Sequence, residues 1–392
     1  MKRIRLVLAA FAGIQIAAFL ILACDGSQSS SSASEDPGPG ATPVDVDFTT
    51  KERLGKLLFF ETSLSTPPGQ SCSSCHDPAA AFADPDAELP VSRGALPGRY
   101  GNRNDMPVAY AAFVPPRHVD PEEAIWVGGL FWDGRVNTLA EQAQGPPLNP
   151  LEMANPDTAT IAEKLRALAY AGLFTQVYGP DALDSPASAY ANMADAIEAY
   201  EKTSEVSPFD SKYDLWLRGE AELSAQELRG LAIFEAEDRG NCAACHPSQP
   251  GEDGSPPLFT DFTYDNLGTP RNPENPFYTL PADLNPDGFA FVDLGLGVTV
   301  GDPAENGKFR VPTLRNVEVT APYMHNGVFK TLFQVVAFYN TRDVADWPNP
   351  EVAENVNDEE LGDLGLTNPE LEDLVAFLRT LTDGWDPAEI GD

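Results

Sequence analysis

Two copies of Cys-x-x-Cys-His, Cys72-Ser-Ser-Cys75-His76 and Cys242-Ala-Ala-Cys245-His246, constrain this 392-residue chain more than any other feature. In such a pentapeptide two thiols can add to the vinyl groups of a haem while the adjacent histidine supplies an axial iron ligand. The spacing gathers the three groups on one turn at a helix start, facing one side of the ring. Zinc ribbons also use paired Cys-x-x-Cys, but with about 15–20 residues between the pairs. Here the pairs lie far apart and each has its own histidine. A thioredoxin-like redox pair needs a βαβ setting, which neither motif has. The motifs take four of the five cysteines and two of the four histidines. Two covalently bound c-type haems are therefore expected, with His76 and His246 as iron ligands.

The fifth cysteine belongs to an export signal. Lys2, Arg3 and Arg5 precede an apolar run from Leu6 to Ala23, the n-region and h-region of a signal peptide. Ile21-Leu22-Ala23-Cys24 resembles a bacterial lipoprotein cleavage box. Residues 1–24 thus read as a lipoprotein-type signal with a lipidated Cys24, and residues 25–47, rich in Ser, Pro and Gly, as a disordered tether. The alternative is an uncleaved anchor, because the apolar run is just long enough to span a bilayer. Either reading places the body of the protein in the periplasm, tethered to a membrane.

Sixty acidic residues against 25 basic ones give a formal charge of −35. Such a surface repels nucleic acid and anionic lipid headgroups and attracts basic partners, among them small electron carriers. Solubility or a salty habitat would account for the same charge. With 42% hydrophobic residues the chain can bury a substantial core, while 31 Gly and 36 Pro point to long irregular loops.

An internal repeat frames both motifs. Gly55-Lys56-Leu57-Leu58-Phe59 precedes the first and Phe82-Ala83-Asp84 comes after it; Gly230-Leu231-Ala232-Ile233-Phe234 and Phe259-Thr260-Asp261 flank the second. Thr49/Glu52 and Ser224/Glu227 have the spacing of capping boxes. Leu54, Leu57 and Leu58, and likewise Leu228, Leu231 and Ala232, recur at helical spacing. A third capped helix starts at Thr367, with Leu371, Leu374, Val375 and Leu378 on one face. Further helices are expected near 159–175 and 188–202. The fold class is mainly α: two cytochrome c-type haem domains with long irregular loops, at 48–217 and 218–392.

Between and after the motifs stand Phe131-Trp132-Asp133-Gly134-Arg135, Glu141-Gln142-Ala143-Gln144-Gly145-Pro146 and Asn149-Pro150-Leu151-Glu152-Met153. Further along are Val311-Pro312-Thr313-Leu314-Arg315-Asn316-Val317 and Ala321-Pro322-Tyr323-Met324-His325-Asn326-Gly327. In this order, around two haem motifs, these blocks resemble the bacterial di-haem cytochrome c peroxidase and MauG family along most of the mature chain. The resemblance implies that the first haem meets peroxide, with Glu152 as acid–base and Trp132 as an electron relay between the haems. It makes the second haem the electron-transfer centre, and Asn104, Thr320 and Pro322 ligands of a calcium ion, the last two through backbone carbonyls.

Two positions depart from the ordinary peroxidases of that family. Where many carry a histidine that blocks the first iron, this chain has Ala95, so the first haem is expected to be open in every redox state; His118 lies in a neighbouring loop. Where they carry a methionine on the second iron, the count from His325 reaches Tyr339, as in MauG-like members, with Met324 as the rival ligand. A phenolate favours higher oxidation states of iron and a thioether the reduced state.

Three functional readings are open. The first is a peroxidase that reduces hydrogen peroxide to water with electrons from a small basic or neutral periplasmic donor, a cytochrome c or cupredoxin. The second is a MauG-like oxidase that turns peroxide on aromatic residues of a partner protein. The third is a non-enzymatic di-haem electron carrier. A homodimer is left open. Replacing Cys242 and Cys245 by Ala is expected to leave one haem per chain in a pyridine haemochrome assay; two remaining haems would contradict the assignment of the motifs.

Overall fold

Side-chain caps mark the start of most helices in the computed structural model, which describes residues 48–386. The signal-like segment 1–24 with Cys24, and the tether 25–47, lie outside the described residues. The helices are α1 (Thr50–Phe59), α2 (Leu139–Ala143), α3 (Thr158–Ala167), α4 (Gly172–Tyr178) and α5 (Pro186–Glu201). They continue with α6 (Lys212–Leu217), α7 (Ala225–Glu235), α8 (Leu296–Val300), α9 (Leu332–Thr341) and α10 (Asn368–Arg379). Thr49 and Glu52 satisfy each other's backbone N–H groups at the start of α1, Ser224 and Glu227 do so at α7, and Thr367 and Glu370 at α10. Among the described residues, sheet is confined to two antiparallel pairs: β1 (His118–Val119) with β2 (Trp126–Val127), and β3 (Tyr264–Asp265) with β4 (Phe309–Arg310). The fold is mostly helical, joined by long loops, as the composition implies. None of the described helices is long and apolar enough to cross a membrane.

The internal repeat becomes two helix pairs. α1 packs across α5, and α7 across α10. A Cβ on Gly55 would lie 1.9 Å from the Ala196 carbonyl oxygen, and one on Gly230 would lie 2.0 Å from that of Asp373. Only glycine permits these crossings, which explains why each repeat opens on Gly and ends, four residues later, on a buried Phe. Phe59 and Phe234 meet Phe82 and Phe259 edge-on, with ring centroids 6.1 Å and 6.2 Å apart. The inward faces differ from those expected at Leu57, Leu228 and Ala232, which are exposed. At a crossing this close the glycine stripe itself faces the partner helix, so the contact turns toward Leu54, Gly55, Leu58 and Phe59, and toward Gly230, Leu231 and Phe234.

Two large hydrophobic cores result, beside a small cluster of Phe277, Tyr278 and Leu280. One runs from Leu54 to Val206 over α1, α3, α4 and α5. The other runs from Tyr213 to Leu381 and includes α7, α9 and α10. A buried ion pair stands between them: Arg315 donates to both oxygens of Asp214 at 2.8 Å. Its guanidinium lies 4.8 Å from the Tyr110 ring and 4.4 Å from Phe209. Pairing and stacking together compensate the cost of removing this charge from water.

The glycine crossing yields a signed expectation. Gly→Ala in an open helix stabilises by about 0.5–1 kcal/mol. Gly230→Ala should instead destabilise by about 1–3 kcal/mol, the usual cost of overpacking, lowering the denaturant midpoint in a chemical unfolding experiment. A raised midpoint would show that α7 and α10 do not pack this closely.

Candidate haem and peroxide sites

Each Cys-x-x-Cys-His motif forms a single 3₁₀ turn, Cys72–Ser74 and Cys242–Ala244, not the helix start expected from the sequence. The backbone N–H of His76 donates to the Cys72 carbonyl at 2.9 Å, and that of His246 to Cys242 at 2.9 Å. This closes the turn and brings the thiols and the imidazole to one side.

The segment on the C-terminal side of each motif orients the imidazole. His76 Nδ1 lies 3.1 Å from the Phe82 carbonyl oxygen and His246 Nδ1 lies 2.7 Å from that of Phe259. A carbonyl can only accept, so Nδ1 carries the proton and Nε2 keeps its lone pair for a metal. Phe82 and Phe259 have left-handed backbones, with φ of 60° and 53°. That conformation is uncommon for a bulky residue and persists only where the surroundings enforce it. The repeated Phe-x-Asp thus marks a carbonyl aimed at the histidine.

The motifs open into two cavities, of about 1320 Å³ and about 1660 Å³ counting their mouths. Cys72, Cys75 and His76 line the first; Cys242, Cys245 and His246 line the second. The four thiols form no disulfide. Burial pushes Cys72 and Cys242 up to about 12, the opposite of an activated redox dithiol. Free thiols, an imidazole with an available Nε2 and an apolar hollow of this size fit a covalently held haem in each cavity.

Glu152 faces the first cavity. The turn at Asn149 holds it there: Asn149 Oδ1 accepts from the Leu151 N–H at 2.9 Å, and its Nδ2 donates to Glu152 Oε1 at 2.8 Å. Burial and the nearby Asp105 raise the Glu152 carboxyl to about 7, with Arg135 and Asn149 opposing. Trp132 stands in the wall between the cavities and lines both, with its indole N–H donating to the Asn104 carbonyl at 2.9 Å. Asn104 also lines both cavities, while Thr320 and Pro322 line the second. Tyr339, on α9, and Met324, in a left-handed turn with φ 71°, both face the second cavity. Burial holds the Tyr339 phenol well above its ordinary range.

Ala95 borders a smaller hollow beside the first cavity, and its N–H donates to the Glu152 carbonyl at 2.7 Å. His118 is exposed on β1, its Nδ1 2.9 Å from the Pro116 carbonyl, and does not line the first cavity. Sequence reasoning missed three groups. Asp105 Oδ2 lies 3.0 Å from His76 Nδ1, so the first histidine has a carboxylate behind it that the second lacks. Asn149 positions Glu152. Glu201, buried at the end of α5, also faces the first cavity, and burial raises its carboxyl to about 8.

Comparisons with known proteins agree with this arrangement. The di-haem cytochrome c peroxidase family matches residues 49–222. The methylamine utilization protein MauG of Paracoccus denitrificans is 42% identical over 349 residues, covering 84% of this chain and 88% of that protein. Cytochrome c551 peroxidase of Nitrosomonas europaea is 31% identical over 355 residues, covering 88% of this chain and 83% of that protein. The crystal structure of the diheme peroxidase BthA from Burkholderia thailandensis superposes with a TM-score of 0.75 at 36% identity, over 87% of this chain and 88% of that one. By this similarity along most of its length, the chain belongs to the di-haem cytochrome c peroxidase and MauG family of oxidoreductases, whose members carry two c-type haems.

Proposed function

We propose that the protein reduces hydrogen peroxide to water at its first haem, with electrons drawn from a small, basic or neutral redox protein through the second. The observation that carries this reading is Glu152, held by Asn149 in the cavity that His76 also lines. Cys72, Cys75 and His76 hold the first haem, and Cys242, Cys245 and His246 the second, in domains spanning 48–217 and 218–392. When bound, the first haem supplies a Lewis-acidic iron and the electrons that break the peroxide bond.

The rest is the work of side chains. Glu152 takes the proton from one peroxide oxygen and delivers it to the other, which leaves as water; a carboxyl near 7 can do both at neutral pH. Asn149 fixes the carboxylate that acts. Ala95 presents no ligating atom, so nothing from that loop competes with peroxide. Trp132, packed in the shared wall, relays electrons between the haems. Asn104, with Thr320 and Pro322, binds a calcium ion that braces the same wall. The export signal ending at Cys24 delivers the protein to the periplasm as a membrane-tethered lipoprotein.

A second reading has a specific observation behind it. Tyr339 faces the second cavity from α9, and the relative with 42% identity is a methylamine utilization protein MauG. With Tyr339 rather than Met324 on the second iron, the haem pair would hold two oxidising equivalents and spend them on aromatic residues of a partner protein.

The acid–base role has a pH signature. The carboxylate must be ionised to accept a proton, so the rate of peroxide consumption should fall as pH drops through about 7. Glu152→Gln keeps shape but cannot shuttle a proton. It should lose about 10²- to 10⁴-fold in rate and abolish that limb, with both haems retained. A variant within a few-fold of the parent, with the limb intact, would remove Glu152 from the mechanism.

A further inference from the structure

A buried arginine needs a counter-ion more than any other side chain, because it stays charged wherever the fold puts it. Among the described residues three arginines are buried: Arg310, Arg315 and Arg342. Arg315 has an Asp214 oxygen at 2.8 Å, and Arg342 one of Asp343 at 2.7 Å. Arg310 has no carboxylate partner among the described residues. Its Nε lies 3.5 Å from the Phe131 carbonyl oxygen and its Nη2 3.7 Å from the Met106 sulfur. A carbonyl at the limit of hydrogen bonding and a thioether are weak acceptors, and neither carries a charge. Burial pulls the Arg310 guanidinium down to about 10, whereas at Arg315 burial is outweighed by the Asp214 carboxylate.

The backbone fixes where this charge sits. Arg310 lies on β4 opposite Tyr264 of β3, and its N–H donates to the Trp132 carbonyl at 2.8 Å. It lines both cavities, as do Trp132 and Met106, the residue its guanidinium touches. The other arginines of the first cavity are already compensated. Arg103 pairs with Asp133 at 2.8 Å and Asp293 at 2.7 Å, and Arg135 with Asp133 at 2.8 Å. One desolvated positive charge, unanswered by the protein, thus stands in the partition between the two haem-sized hollows. Each haem carries two propionate carboxylates, and a guanidinium can hold a carboxylate through two parallel hydrogen bonds.

We propose that Arg310 is an electrostatic anchor shared by the two haems, pairing with a propionate at the partition and raising the reduction potential of both irons through its charge. The inference rests on the haem placement proposed above, whichever substrate the oxidising equivalents are spent on. A nearby positive charge stabilises an added electron, and in a buried wall little solvent screens it. One residue in the partition therefore holds both potentials up together.

The test is a spectroelectrochemical titration of the holoenzyme at mildly alkaline pH, where an unpaired carboxylate stays ionised. Arg310→Met, with Arg310→Gln as the neutral variant that can still donate to the Phe131 carbonyl, should make reduction of each haem at least about tenfold less favourable, a fall of about 59 mV per one-electron centre. Arg310→Lys should restore most of both potentials. A pyridine haemochrome count on every variant separates this effect from loss of a haem. Resonance Raman needs no neutral variant: the propionate bending bands of the parent should shift in Arg310→Lys, where an ammonium replaces the guanidinium fork. If the neutral variants lose a haem, the Raman comparison decides. Unmoved potentials in a neutral variant that keeps both haems, or unmoved propionate bands in Arg310→Lys, overturn the anchor, and a fall confined to one haem overturns its sharing. A parent protein with fewer than two haems would overturn the haem placement itself, and the anchor with it.

Discussion

Everything at the two haem sites depends on one hydrogen bond made twice, from a histidine Nδ1–H to the carbonyl of a phenylalanine forced into a left-handed backbone. It fixes the tautomer, turns Nε2 toward the cavity and sets the plane of the ring. The phenylalanine is held in turn by packing: Phe82 against Phe59, and Phe259 against Phe234. Those partners sit on helices whose glycines let a second helix approach to backbone contact. A tight helix crossing, an aromatic pair and an oriented imidazole thus form one mechanical unit, and the chain contains two.

The units differ where chemistry requires it. His76 Nδ1 faces the Phe82 carbonyl at 3.1 Å and has an Asp105 carboxylate oxygen 3.0 Å away, whereas His246 has the Phe259 carbonyl alone. Burial lowers the His246 ring below its ordinary range, whereas at His76 the effect of burial is outweighed by the Asp105 carboxylate, which makes that ring the more basic of the two. A carboxylate behind an imidazole makes it a more basic ligand and favours the oxidised metal. The opposite faces diverge as well, with Glu152 and Ala95 at the first site and Tyr339 and Met324 at the second. Trp132 is the wall between them. On the function proposed above, the first site admits and protonates a small oxidant and the second passes electrons.

Much of this was legible in the sequence because it is periodic or clustered. The two pentapeptides, the capping boxes at Thr49, Ser224 and Thr367 and the repeated Gly-to-Phe segments all carry their meaning locally. The inward faces of α1 and α7 were misjudged because hydropathy cannot see a glycine crossing, which rotates the contact away from Leu57 and Leu228. Asp105, Asn149 and Glu201 were illegible for another reason. A single carboxylate among 60 acidic residues, or one more amide in a loop, gains significance only when the fold brings it to an imidazole or a second carboxylate. Ala95 was visible only against the family pattern, since an alanine signals nothing by itself.

The central claim is that two similar mechanical units present unequal iron sites, one open and one closed by a side chain. Low-temperature electron paramagnetic resonance of the diferric protein tests it most directly. One high-spin ferric signal is predicted from the first haem, where Ala95 supplies no ligand, and one low-spin signal from the second. Two low-spin signals would mean that a protein ligand also closes the first iron, and would contradict the claim.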